Sequence, residues 1–428
     1  MDPATSTVAR QGAGVLAANF AYSGLGFAFW ALAARLFSED QVGFAAALVS
    51  LSFLASTTGV LGLDYGLVRF LATVARPRRL IAQVLLITSA SSGVFGFGLS
   101  LYFLTVWNAT FGDLYLLVGL SVFLTVSQSW LGMTDAAMIA AGKSQLVALR
   151  AFAFGAIKVA ALVIVLWAGV AGILAAYGLP ALLVVLGTLF LIPRLWPRQN
   201  ATGTPQSLRQ VASLSAGNWV SQFAYSLPNR VGPFLILLFV DARSVAFFFI
   251  ALQLADVLNY GSDAISRSLI AHASREGRLD RSLTKAFRKL LILIVVPLIA
   301  IAFVAAPFAM SVIGGPSYRS HALSLQLFLL AVLPKTLYGI LRAQFNVERR
   351  SLALVIAGGS FGFITLAALL IGLFLDINPD LLPVSWVVGA VAGLAVSHYL
   401  AGWRLRPRDR EGRPTMAQGE SMETPNAR

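Results

Sequence analysis

The chain of 428 residues contains no cysteine, which excludes a disulfide framework, a thiolate nucleophile and any cysteine-ligated metal. Histidine is nearly as scarce. His272, His321 and His398 are scattered and show no His-x-x-His or His-Glu-x-x-His spacing, so no metal site is expected. Charge is short as well: 12% of residues are charged and 58% are hydrophobic, whereas soluble domains average about 25% charged. Such a chain would expose large apolar patches in water. No carboxylate pair, no Gly-x-Ser-x-Gly elbow and no Gly-x4-Gly-Lys phosphate loop is present, which removes the common hydrolytic and nucleotide-driven chemistries. The expectation is a protein that is not an enzyme, with no catalytic residue, no metal and no organic cofactor.

What the chain has is length of apolar sequence. A bilayer core about 30 Å thick needs roughly 20 apolar residues of helix. Residues 11–34 and 41–63 carry no charge, and the polar turn Ser38-Glu39-Asp40 separates them. Residues 80–112 and 114–134 give spans 3 and 4. Between residues 151 and 193 the only charge is Lys158; that run is about twice one membrane thickness and must fold back near Gly169–Gly172. The second half supplies residues 211–240 and 244–266, then spans starting near Leu290, Leu323, Leu352 and Leu382. The fold class expected is an all-α polytopic membrane protein of twelve transmembrane helices.

The net charge of +14 invites a nucleic-acid reading, but its placement refuses it. With the N-terminus inside, alternate loops collect Arg69, Arg76, Arg78 and Arg79, then Lys143 and Arg150, then Arg194, Arg198 and Arg209, and so on through Arg342, Arg349 and Arg350 to a tail beginning at Arg404. The intervening loops hold only Arg35, Arg243 and Arg319, together with Glu39, Asp40, Asp113, Asp241, Asp376 and Asp380. Basic loops stay on the cytoplasmic side, so both termini are expected in the cytoplasm of a bacterial inner membrane. The first apolar run is too long for a signal-peptide core and reads as a retained anchor.

A repeat of about 200 residues is visible. Arg10-Gln11 and later Asn19 recur as Arg209-Gln210 and later Asn218; Asp40-Gln41-Val42-Gly43-Phe44 is echoed by Asp241 and Val245-Ala246-Phe247; Lys143-Ser144-Gln145-Leu146-Val147 by Arg350-Ser351-Leu352-Ala353-Leu354. Six spans per unit give both halves the same orientation, hence two pseudo-symmetric six-helix lobes around a central cavity, related by an axis along the membrane normal. The lobes are residues 1–200 and 201–404; residues 405–428, rich in Arg, Pro, Gly and Glu, read as a disordered cytoplasmic tail.

Four charges fall deep in these spans: Lys158, Arg230, Asp256 and Lys335. Each costs about 2.5–3.5 kcal/mol at a helix centre on insertion scales, and such residues face a partner or a wet cavity. Arg230 and Asp256 lie on consecutive helices and either neutralise each other or serve the cavity, where Asp256 is the candidate proton or sodium site. Lys158 and Lys335 have no obvious acid at their depth, although Lys335 could also snorkel to the inner surface. Around Arg230 the sequence Leu227-Pro228-Asn229-Arg230-Val231-Gly232-Pro233 should kink or locally unwind the helix, making Pro228 and Pro233 hinge candidates. Asn19 and Asn218 are further candidate cavity residues. A lumen with three bases and one acid suits an anionic ligand such as a pyrophosphate.

Short motifs give these features a resemblance. Arg35-Leu36-Phe37-Ser38-Glu39-Asp40-Gln41-Val42-Gly43-Phe44 resembles the Arg-Leu-Gly-x-Glu-Asp-Tyr-Gly turn of polysaccharide flippases. Leu61-Gly62-Leu63-Asp64-Tyr65-Gly66-Leu67-Val68-Arg69-Phe70 resembles the Leu-Gly-Leu-x-x-Ala-x-x-Arg-Phe stretch that follows it. Ala140-Ala141-Gly142-Lys143 and Gly314-Gly315-Pro316-Ser317-Tyr318 match two further elements. The set is similar to Wzx-type lipid-linked oligosaccharide flippases of the multidrug/oligosaccharidyl-lipid/polysaccharide superfamily, with departures at Phe37 and Gln41-Val42. The resemblance implies alternating access through a cationic cavity. It also implies an undecaprenyl-pyrophosphate-linked glycan as cargo for O-antigen or exopolysaccharide synthesis, with membrane lipids and a polysaccharide polymerase or co-polymerase as partners. A multidrug exporter of the same superfamily would share fold and topology, but spans 1 and 2 lack the embedded acid expected for its coupling ion. A membrane glycan polymerase or ligase would need larger outer loops.

Overall fold

The computed structural model describes residues 3–106, 113–196, 208–276, 281–348 and 350–402; the expected tail at 405–428 and the lobe boundary near 200 lie outside them. The described residues are helical with short turns, in the order α1 Pro3–Leu36, α2 Glu39–Val60, α3 Leu63–Phe70, α4 Pro77–Val106, α5 Leu114–Ala140, α6 Ser144–Ile164, α7 Gly169–Leu195, α8 Leu208–Phe239, α9 Ala242–Glu276, α10 Arg281–Gly314, α11 Pro316–Arg319, α12 Ala322–Val347, α13 Ser351–Phe374 and α14 Val384–Gly402. Twelve of these are long and two, α3 and α11, are short. Among the described residues eleven segments are long and apolar enough to cross a membrane. The twelfth long helix, α8, is more polar because it carries Gln222, Asn229 and Arg230, which face the space between the lobes.

Local chemistry sets the ends. Ser38 caps α2 through a capping box with Gln41, satisfying two orphan amides reciprocally. Asp113 accepts from Leu116 N at the start of α5. The fold-back in the long apolar run occurs at a 3-10 turn over Leu166–Ala168, just ahead of Gly169, whose φ of +55° suits a residue without Cβ.

Two groups of helices emerge: α1 packs on α6, α4 on α5 and α5 on α7, while α8 packs on α13, α13 on α14 and α9 on α12. Glycine makes these seams tight. A Cβ added at Gly362 would lie 1.9 Å from the carbonyl oxygen of Ala224 on α8, and one at Gly358 would lie 2.5 Å from that of Ser221. The spacing of these two glycines is the small-x-x-x-small pattern that lets membrane helices meet backbone to backbone. It also answers the expectation of unwinding. α8 continues helically through Pro228 and Pro233. Pro228 removes the donor that Ala224 O would have had, and that freed carbonyl is the one α13 approaches. The predicted local unwinding is therefore corrected: α8 stays helical across both prolines, with α13 packed against the freed carbonyl.

The lobes meet chiefly where α2 crosses α8 and α9, with α1 against α9 and α10. At one end of the bundle lie the α1–α2 and α8–α9 turns; the arginine-rich loops lie at the other.

Candidate functional site

Between the lobes lies a cavity of about 510 Å³. Asn19, Lys158, Arg230, Asp256 and Lys335 all line it, so the fold brings five of the sequence candidates to one space. Asn218 sits on α8, but its side chain lies outside the described residues.

Lys158, on α6, is 1% exposed. Its ammonium faces the rings of Tyr177, Phe154 and Phe29, at 4.3, 4.9 and 5.5 Å from the centroids, and makes no ion pair among the described residues. Gly26 of α1 leaves room beside it, since an added Cβ would sit 3.7 Å from Nζ. The rings' negative faces replace part of the lost hydration. Arg230 lies over the ring of Phe53, 4.4 Å from the centroid, a contact from α8 of one lobe to α2 of the other.

Asp256 forms an ion pair with Lys335, at 3.8 Å. Asn259 Nδ2 donates to Oδ1 at 3.0 Å and Asn229 Nδ2 reaches Oδ2 at 3.5 Å. Asn229 is oriented in turn by Trp386 Nε1, which donates to its Oδ1 at 2.8 Å. Lys335 therefore does have an acid at its own depth, and at 9% exposure it does not snorkel. Residues 79 positions apart in sequence pair because α9 and α12 are packed neighbours.

A second carboxylate escaped the sequence reading. Asp135 lines the cavity, pairs with Arg150 and accepts a hydrogen bond from the Tyr22 hydroxyl at 2.9 Å. Arg150 is 6% exposed; Nη2 donates to Leu131 O at 2.8 Å and Nη1 donates to Thr134 Oγ1. Span 4 was expected to end at Thr134, one residue short, and Arg150 was counted with a basic loop. The helices extend to Ala140 and begin again at Ser144, so both charges are inside the bundle.

The repeat relates this cluster to the other lobe. Lys143 N bonds to Met138 O and Arg350 N to Phe345 O, both at 2.9 Å, the same helix-ending closure at the same offset. In that register Asp135 corresponds to Arg342 and Gln128 to Lys335. Arg342 Nη2 donates to Gln222 Oε1 at 2.9 Å, and its guanidinium lies 4.7 Å from the Tyr225 ring centroid. One lobe thus presents an acid where the other presents a base.

Among the described residues three basic and two acidic side chains line the cavity, with Arg150 and Arg342 directly behind. Each acid has a basic partner, and the balance is positive. No group of His, Asp or Glu able to hold a metal occurs among the described residues. The arrangement can bind and desolvate an anion or a polar amphiphile.

No protein-family model matches the chain, and no curated protein sequence does. Solved structures do. A MATE protein in complex with MaL6 superimposes with a TM-score of 0.63 at 13% identity, covering 93% of this chain and 96% of that one. MATE in the straight conformation gives 0.63 at 12% identity, covering 93% and 95%. An outward-facing multidrug resistance MATE family transporter of the MOP superfamily gives 0.58 at 11%, covering 93% and 95%. The chain is similar to these in fold: twelve transmembrane helices in two lobes around a central cavity.

Proposed function

We propose that this chain is a multi-pass secondary transporter that carries its cargo through the interlobe cavity by alternating access. The observation that supports this most directly is the cavity itself, lined by both lobes and holding Lys158 among rings. A desolvated cation without a carboxylate neighbour favours an anionic cargo group. Combined with the Wzx-like motifs, the reading becomes a flippase that moves an undecaprenyl-pyrophosphate-linked oligosaccharide from the inner to the outer leaflet. Arg230, Lys158, Lys335, Asn19 and Asn218 contact cargo in this reading, and Asp256 or Asp135 takes the coupling ion. The arginine-rich end faces the cytoplasm.

A second reading is at least as well supported. The fold neighbours are MATE transporters, and Asp135 supplies the embedded acid in the first lobe whose apparent lack had weighed against a small-molecule exporter. Reconstituted protein separates the two. A flippase exposes a fluorescent lipid-pyrophosphate glycan to an external glycosidase and leaves small dyes in place; an exporter moves cationic or zwitterionic dyes against an ion gradient and ignores the lipid. Movement of neither, by folded protein in sealed vesicles, overturns both.

A further inference from the structure

The motifs of the first lobe's turn have no place in the cavity. They converge at the opposite end from the arginine-rich loops. Glu39, in the first turn of α2, pairs with Arg243 in the first turn of α9, Nε to Oε2 at 2.7 Å. Arg35, at the end of α1, donates to the carbonyls of Ile313 at 2.9 Å, Ser311 at 3.3 Å and Val312, the last turn of α10. Gly43 lies so near the α9 backbone that an added Cβ would be 1.7 Å from Ala242 O. Phe247 meets Tyr318 edge-on at 4.9 Å. Every one of these contacts except the last joins one lobe to the other.

The electrostatics are complementary. α2 and α9 both begin here and present partial positive ends to each other. Glu39 and the N-cap Asp241, which accepts from Ser244 N at 2.6 Å, offset them. α10 ends here, and the Arg35 guanidinium donates to the carbonyls of its last turn, at the negative end of the helix. Beneath the turns, Trp30 packs on Phe249 at 4.8 Å and is 1% exposed; both residues also line the cavity, so this layer is its closed end.

We infer that residues 35–44 and 241–247 form an interlobe latch that holds this end of the cavity shut and must part before the cavity opens there. The inference rests on the alternating-access reading but not on the identity of the cargo. Glu39–Arg243 and Arg35–α10 supply reversible polar bonds, while Gly43 sets the distance of closest approach.

The chain has no cysteine of its own, so introduced cysteines are the only labelling sites. A single reporter, Ser23→Cys in the cavity lining, is exposed to a membrane-impermeant maleimide from each side of oriented vesicles. Glu39→Gln and Arg35→Gln should each raise labelling from the latch side about two- to fivefold, the scale of losing one exposed polar contact. Gly43→Ala, a wedge, should raise it further, and Glu39→Arg with Arg243→Glu should return it toward the parent value. In a separate variant without the reporter, Glu39→Cys with Arg243→Cys joined by a short bis-maleimide should arrest transport. Unchanged labelling in folded Glu39→Gln and Arg35→Gln, or transport by the cross-linked protein, overturns the latch. Because labelling uses no cargo, the latch is tested even if both cargo readings fail.

Discussion

Replacing Lys158 by methionine separates a cargo-binding lysine from a packing one. Methionine keeps the length and apolar stem of the side chain and removes the charge. In the resting protein two effects oppose each other: the ammonium costs about 2.5–3.5 kcal/mol to hold at a membrane centre, while a desolvated cation–ring contact returns about 2 kcal/mol or more. With three rings within 5.5 Å the two nearly cancel, so Lys158→Met should change unfolding stability in detergent by no more than about 1 kcal/mol. The effect on an anionic cargo is larger. A hydrogen bond to a charged group contributes about 1.5–3 kcal/mol, and its loss weakens apparent affinity about ten- to hundredfold. The assay is transport in proteoliposomes at varied cargo concentration, with a neutral cargo of similar size as control. The reasoning is refuted if Lys158→Met transports the anionic cargo with parental affinity, or if it destabilises the fold by several kcal/mol and lowers both cargoes equally.

Three further outcomes follow from the packing. Asp135→Asn leaves Arg150 buried without its counter-charge and should cost about 3–5 kcal/mol, whereas Asp135→Asn with Arg150→Met should recover most of it; thermal unfolding of both variants decides. Gly362→Val places a branched side chain against Ala224 O and should destabilise by about 1–3 kcal/mol or more, while Gly98→Ala, with nothing within 4 Å of the new Cβ, should be neutral or stabilising by about 0.5–1 kcal/mol, both read from denaturation midpoints. Asp64, in α3 outside the spans, has a carboxyl pushed above its usual range by burial, and Oδ1 has no hydrogen-bond partner. The folded form therefore holds the proton more tightly than the unfolded chain, so stability falls as pH rises through that raised value. Asp64→Asn should flatten this slope in pH-dependent melting, and an unchanged slope would refute the assignment.

The twelve helices were legible because membrane thickness dictates their length and because arginine placement alternates with their order. Their ends were less so. Reading span 4 as ending at Thr134 hid Asp135, since a charge marks a boundary in hydropathy whether it lies at the surface or inside the protein. Only Tyr22 and Arg150, from other helices, make that carboxylate tolerable. The candidate cavity residues were recognisable as isolated charges in apolar runs, and Asn19, Lys158, Arg230, Asp256 and Lys335 do share one space. Their pairing was not recognisable. Lys335 has no acid near it in sequence, but α12 packs on α9 and brings it to Asp256. Around Pro228 and Pro233 the sequence pattern allowed an unwound segment, but α8 stays helical through both.

The seam between α8 and α13 has a mechanical consequence. Side chains at a contact can change rotamer and absorb displacement, but Gly358 and Gly362 set backbone against backbone, where nothing can give. α8 and α13 then form one stiff pair. On the alternating-access reading, any movement of α13 would carry α8, and with it Arg230 and Asn229, as one piece.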